Sequence, residues 1–386
     1  MNDEEYRRLV KKYLDEENWF EAWRYSTRIW EKTADDWFYM AVACNGLKNV
    51  PMAFYYLKKA KELDDKYSQI YEEAFKEVRR PEKLAILCLP GLDNFLKDIY
   101  DVFKNIFETK LVVSNNANEL KQAYDWADIV WLEWGNELAV FVTNNFEKKN
   151  KKLVMRLHGY EAYLPDMLKQ IKWEKIDHIF FVANHIKDKA IQNCPALGLI
   201  SNSIVYNGIN LNRYKYSVRE PRKNIAFAGL FNHKKNPQFV VQILKKLVDI
   251  SPDYKFYWVG RIQDERLFEY LLYILEEMHL KSHFIFETWT NDINSWLEDK
   301  SFFLSTSWLE GYGVAIMEAM AKGIKPAVHN FYVARDYYPE YILYNHIDEA
   351  VEMILSQEYD SEKYRKFIEE HGSLENQILG FYEKLL

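Results

Sequence analysis

Two rhythms of apolar residues divide this chain near residue 80. Before that point they recur at helical spacing, as in Trp37-x2-Met40-Ala41-x2-Cys44 and Ala53-x3-Leu57-x2-Ala60, which predicts a wholly helical segment. Gly46 and Pro51 are its one glycine and one proline, and both fall at a turn. A similar half-unit, Trp19-Phe-Glu-Ala22-Trp with Ile29-Trp30, precedes it. A segment that repeats itself this way predicts stacked helix pairs. Two such pairs are few for a free-standing stack, so the segment is expected to dock on the rest of the chain.

From Pro81 strand-length apolar runs alternate with helical stretches. Strands are predicted at 83–89, 110–114, 128–133, 152–157 and 176–182, with helices at 95–107 and 119–126. A polar surface linker at 217–223 leads to a second alternating unit. Its strands are expected at 224–229, 255–260, 284–287, 302–304 and 325–329, the last closing the sheet. Its helices are expected at 237–248, 264–278, 293–298 and 314–322. Alternation with short connections predicts parallel, doubly wound sheets whose ligands sit outside the carboxyl ends of the strands. The fold class is therefore α/β, two Rossmann-like doubly wound domains after an all-α helical-repeat module. Boundaries are expected at 1–80, 81–205, 206–365 and 366–386.

Composition narrows the function. The 386 residues are 48% hydrophobic and 28% charged, with net charge −7, a globular balance that argues against a nucleic-acid partner. The opening Met1-Asn-Asp-Glu-Glu has no signal-peptide character, and no apolar run approaches the roughly 18 residues of a membrane span. A cytoplasmic location is expected, with peripheral contact to the inner membrane through Lys148-Lys-Asn-Lys-Lys152 as an option. Cys44, Cys88 and Cys194 are odd in number and lack metal-ligand spacing, which suits buried thiols in a reducing compartment.

The chemistry concentrates in Ser305-Thr-Ser-Trp-Leu-Glu-Gly-Tyr-Gly-Val-Ala-Ile-Met-Glu-Ala-Met-Ala-Lys-Gly323. A strand, a glycine loop and a helix start present free backbone N–H groups and a positive dipole end to an anion. Glu310 and Glu318, with seven residues between them, would repel a phosphate and instead suit hydroxyls. A ligand with both phosphate and polyol parts, such as a nucleotide sugar, fits.

This stretch resembles the E-x7-E segment of retaining glycosyltransferases of the GT-B fold, in particular glycosyltransferase family 4. The match includes the glycines of Glu310-Gly-Tyr-Gly313 and the following Glu318-Ala-Met-Ala-x-Gly323. The helical segment in turn resembles a tetratricopeptide repeat, with Asp65 where the closing proline usually stands. Asn202 to Tyr214 resembles the family's crossing between domains, with Asn210 for the usual Asp. The resemblance implies that the two Rossmann-like domains face a cleft, with Gly208 and residues 215–223 as its hinge, and that the final helix, 375–386, packs back on the first α/β domain.

The resemblance implies metal-independent transfer, with retention, from a nucleotide-diphosphate sugar. Gly229-Leu-Phe-Asn-His-Lys-Lys235-Asn236 is similar to the family's phosphate loop. Lys235 matches its lysine, while Leu230 occupies the arginine position. Arg261 is the expected replacement, ahead of Lys234 and His233. The amides of Gly313 and Val314, beyond Gly311, would meet the distal phosphate. Glu318 would take the ribose and Glu310 the transferred sugar. His158, ending the fourth strand, matches a histidine that faces the donor sugar, and Glu133 and Glu161 are candidates to orient acceptor hydroxyls.

The acceptor is expected to be a protein or glycan, with a lipid-linked saccharide as the rival. Trp131, Trp134, Tyr160 and Tyr163 lie at strand ends and suit either sugar stacking or core packing. Residues 1–80 offer a surface for a protein partner or for self-association. The alternative readings are a degenerate, non-enzymatic scaffold acting through its helical repeats, which Leu230 favours, and a GT-B sugar-nucleotide epimerase.

Overall fold

Capping chemistry sets where the N-terminal helices begin. Asn2 and Thr33 each accept a backbone N–H three residues on, and Glu5 and Asp36 return a bond to the cap, satisfying donors that a helix start otherwise leaves open. The computed structural model describes residues 1–356 and 358–386. Its first 78 residues form α1 (Asp3–Asp15), α2 (Trp19–Arg28), α3 (Ala34–Gly46), α4 (Val50–Leu63) and α5 (Ser68–Val78). Small residues let α3 and α4 approach closely, and Met40, Ala43, Cys44, Met52 and Ala60 are buried.

The first α/β region follows as β1 (Lys83–Cys88), α6 (Lys97–Phe103), β2 (Glu108–Val113), α7 (Ala117–Trp126), β3 (Ile129–Glu133) and α8 (Glu137–Asn145). It continues with β4 (Lys152–Leu157), α9 (Pro165–Leu168), β5 (His178–Phe181), α10 (Asn184–Asn193) and β6 (Asn202–Ile204). The strands are parallel in the order β2-β1-β3-β4-β5-β6. The central strands are buried on both faces, which is why they read as continuous apolar runs. The expected helix 95–107 is shorter at both ends. The Asn105 side chain donates to the carbonyls of Asp101 (2.7 Å) and Val102 (3.2 Å), competing with another helical turn. The short, polar β6 lay outside the strand predictions because it has no apolar run.

The second α/β region runs β7 (Asn224–Ala228), α11 (Pro237–Ile250), β8 (Lys255–Val259), α12 (Glu265–Glu277), β9 (Phe284–Glu287), α13 (Ile293–Trp296) and β10 (Phe302–Ser305). Then come α14 (Val314–Ala321), β11 (Lys325–His329), β12 (Leu343–Tyr344), α15 (Ile347–Leu355) and α16 (Ser361–His371). The sheet order is β12-β11-β10-β7-β8-β9. β11 does not close it, because the two-residue β12, too short to show a period, pairs beyond it. The core on this sheet includes Trp258, with Phe231 at 5.0 Å and Phe227 at 4.3 Å between ring centroids.

Contacts divide the chain into residues 1–212 with 373–386, and residues 213–372. The breaks fall at 212/213 and 372/373 rather than at the expected 205/206 and 365/366. α16 stays in the second unit, where Arg365 donates to Ala321 O (2.8 Å) and pairs with Glu369 (2.8 Å). α17 (Leu374–Leu385) belongs to the first. Its Phe381 ring meets Trp131 at 4.7 Å and Phe180 at 5.0 Å. There the helical segment also docks: Tyr56 bonds the Glu375 carboxyl, and Asn49 donates to Glu375 O (2.8 Å).

The stretch 217–223, expected as a surface linker, is fastened into the second unit. Arg219 donates to the carbonyls of Lys322 (3.0 Å) and Glu298 (2.7 Å), and its own N–H to Ser361 Oγ (3.0 Å). Gly208, expected at the hinge with it, lies against the Ser373 backbone in the first unit. Among the described residues no helix is long and apolar enough to cross a membrane.

Candidate functional site

In the second unit the loop after β7 and the loop after β10 are held together. A Cβ on Gly260 would sit 1.9 Å from Gly229 O, so only glycine lets the ends of β7 and β8 approach this closely. Thr306 Oγ1 donates to Lys235 O (2.6 Å), the Trp308 amide to Lys234 O (3.2 Å), and the Trp308 indole to His233 O (3.1 Å).

This binding brings two cations onto one carboxylate. Lys235 Nζ pairs with Glu310 Oε1, and Lys234 Nζ lies 3.7 Å from Glu310 Oε2. Burial pushes the Glu310 carboxyl up, but the two lysines outweigh it and hold it below its usual range. Glu310 therefore stays charged, and the cluster carries one surplus positive charge. Three residues on, Gly313 is the N-cap of α14 with φ +70, a conformation that favours glycine. No side chain caps this helix, its first turn has no acidic residue, and Val314 is its first helical position. The dipole end is thus open to an anion.

Glu318, one turn into α14, accepts from the Tyr214 hydroxyl at 2.7 Å. Burial raises its carboxyl to about 7. A hydroxylated ligand that donates to the carboxylate should therefore bind progressively more weakly as pH falls through about 7, since protonation removes an acceptor. Calorimetric affinity for a nucleoside diphosphate between pH 5.5 and 8 checks this, and Glu318→Gln should flatten the profile.

Arg261, the expected replacement for arginine at Leu230, is not brought onto Glu310. It stacks over the exposed Trp289 ring, 5.1 Å from the centroid. The second cation on Glu310 is Lys234. A hollow of about 870 Å³, lined by Asn232, His233, Lys234, Arg266 and Trp308 among others, opens on the Lys234 side of the loop. Gly311 lies on the adjoining loop with open space about it.

In the first unit a buried polar cluster sits at the ends of β3 and β4, where Glu133 and Arg156 are register partners. Arg156 donates to Glu133 (3.2 Å) and to Asn207, and the Trp131 indole donates to Glu133 (2.8 Å). His158 Nε2 lies 2.7 Å from Glu133 Oε1. Burial lowers the imidazole to about 4 despite Glu133, so it is neutral at pH 7, and the ionised Glu133 fixes its N–H on Nε2. Glu161 accepts the N–H groups of Gly135 (3.0 Å) and His158 (3.2 Å), and burial pushes it up to about 7. Both carboxylates have no exposed surface, so neither orients an acceptor hydroxyl directly. They support His158.

Residue types alone did not single out Arg156, Asn207 or Tyr214. The usable signal for Arg156 was opposite charges at facing positions of two apolar strands. Trp131 is wholly buried, whereas Tyr160 and Tyr163 are exposed. In the basic run, Lys148 pairs with Asp177 (2.5 Å) and Lys151 donates to Asp125 O (3.1 Å), which leaves less of it for a lipid surface. Among the described residues no group of three or more His, Cys, Asp or Glu side chains is arranged to hold a metal ion.

Comparison with known proteins agrees with this layout. Residues 209–371 match the family model described as glycosyl transferases group 1. A putative glycosyltransferase of Bacillus subtilis, YtcC, is 26% identical over 200 residues, covering 45% of this chain and 49% of that protein. The Escherichia coli UDP-Gal:alpha-D-GlcNAc-diphosphoundecaprenol alpha-1,3-galactosyltransferase is 27% identical over 143 residues, covering 33% of this chain and 36% of that one. The chain thus spans about half or less of these curated relatives. Among solved structures, Anabaena Alr3699/HepE in complex with UDP and glucose aligns at TM-score 0.65 and 14% identity, over 79% of this chain and 99% of that one. Two Rossmann-like units, each on a six-stranded parallel sheet, and the matched segment 209–371 make this a chain of GT-B fold with a group 1 glycosyl transferase region.

Proposed function

We propose that the protein is a retaining glycosyltransferase that moves a sugar from a nucleoside-diphosphate sugar to a protein or glycan acceptor without a metal. The observation that carries this reading is the convergence of Lys234 and Lys235 on Glu310 beside the open N-terminus of α14. The match of residues 209–371 to a glycosyl transferase family supports it, as does the UDP named in the Anabaena complex.

In this reading the diphosphate draws Lys235 and Lys234 from Glu310, which is then free to accept hydroxyls of the transferred sugar. Glu318 takes the ribose. The bond from the anomeric carbon to the diphosphate oxygen breaks, and its electron pair goes to that oxygen. The lysines and the Gly313 and Val314 amides stabilise the charge that develops there, as pre-placed dipoles do most effectively. The acceptor oxygen bonds to the same face of the anomeric carbon, and its proton passes to the departing phosphate. His158, held neutral, bonds a sugar hydroxyl without adding positive charge near an anomeric centre that is itself becoming positive.

Calorimetric titration with UDP, and then with GDP and ADP, tests the reading. Binding of one is expected; binding of none overturns it and favours the scaffold alternative. Lys234→Ala should weaken that binding about tenfold through loss of a charge-assisted contact. Leu230→Arg in the same background should restore it, and Arg261→Ala should cost less than Lys234→Ala.

A further inference from the structure

The strand order of the first sheet reverses between β1 and β3, since β2 lies outside β1 on one side and β4 to β6 follow β3 on the other. In open α/β sheets the crevice at such a point, beyond the strand carboxyl ends, takes the ligand. Three aromatic residues gather there, two of them against His158. Trp134, after β3, stacks on the imidazole at 3.7 Å with 21° between planes. Phe95, after β1, lies 5.5 Å from His158, and Tyr160, after β4, lies 5.5 Å from Trp134.

Core packing does not explain this group. Trp134 and His158 are 9% and 4% exposed, whereas Phe95 and Tyr160 are 36% and 44% exposed. Trp134 also has φ +74, an arrangement that costs a bulky residue energy and persists where surroundings impose it, commonly at ligand sites. The surroundings do impose it: the Trp134 indole donates to Leu92 O (2.9 Å), the Trp134 amide to Arg156 O (2.9 Å), and Glu161 pins the next amide. A strained floor flanked by two part-exposed aromatic side chains suits a flat ligand with apolar faces and polar edges. A pyranose ring has that chemistry, with C–H faces and hydroxyl rims.

We propose that Phe95 and Tyr160 form a stacking platform for a sugar ring of the acceptor, over the floor made by Trp134 and His158. This rests on the transferase reading and narrows its acceptor to one that presents a saccharide. The test is saturation-transfer NMR of the full chain with the methyl glycosides of glucose, galactose and N-acetylglucosamine. At least one should receive saturation at its ring protons. Phe95→Ala and Tyr160→Ala should each weaken its binding about three- to tenfold, Tyr160→Phe should retain it, and Tyr273→Ala, an exposed aromatic of the second unit, should not change it. No transfer to any of the three, or transfer unchanged in both alanine variants, overturns the platform. UDP titration of the same samples separates the two ideas. Retained UDP binding with no saccharide contact removes only the platform, while wild-type protein that binds no nucleotide removes the transferase reading.

Discussion

Lys235→Ala should weaken nucleoside-diphosphate binding about 10- to 100-fold, the cost of one charge-assisted contact to phosphate that water replaces poorly in a partly buried loop. Glu310→Ala should behave oppositely. Without that carboxylate both lysines lose the partner with which phosphate must compete, so nucleotide affinity should hold or rise. Transfer should nevertheless fall, because the group proposed to take the sugar hydroxyls is gone. Calorimetry for binding and single-turnover transfer for chemistry separate these effects. Equal loss of nucleotide affinity in both variants would show that the pair merely braces the loop.

Arg156→Ala should destabilise the first unit by about 3–5 kcal/mol, because it leaves the wholly buried Glu133 without its strongest cation. Urea unfolding measures the loss. Arg156 is also one of the causes that lower His158, so without it the imidazole should rise from about 4 toward its unfolded value. A folded pKa below the unfolded one costs stability as pH falls, and that cost shrinks in the variant. The variant should therefore suffer less at pH 5.5 than at pH 8. Arg156→Met combined with Glu133→Gln should lose less than Arg156→Ala alone, since no unpaired charge remains buried. An Arg156→Ala loss under 1 kcal/mol would mean that water reaches Glu133.

Much of this architecture was legible in the chain. The strands at 152–157, 284–287 and 325–329 coincide with the observed ones, because each is centred on an apolar stretch of strand length. The polar three-residue β6 and the two-residue β12 escaped because they are too short to show such a stretch. The glycines between Glu310 and Val314 were equally readable, since few other residues adopt φ +70 at a helix start.

The amino-acid pattern by itself determined that two parallel sheets follow a helical segment, and that the loops carrying Lys235 and Glu310 follow β7 and β10. It did so because periodicity and glycine placement are local properties. Only the tertiary structure decided which charges meet. Lys234 as well as Lys235 meets Glu310 while Arg261 stacks on Trp289, and Glu133 and Glu161 turn inward to hold His158. Residues 217–223 lie at the surface but are tied to the second unit by Arg219. Each of these depends on side chains far apart in the chain arriving at one place, and no local pattern of residues encodes that meeting.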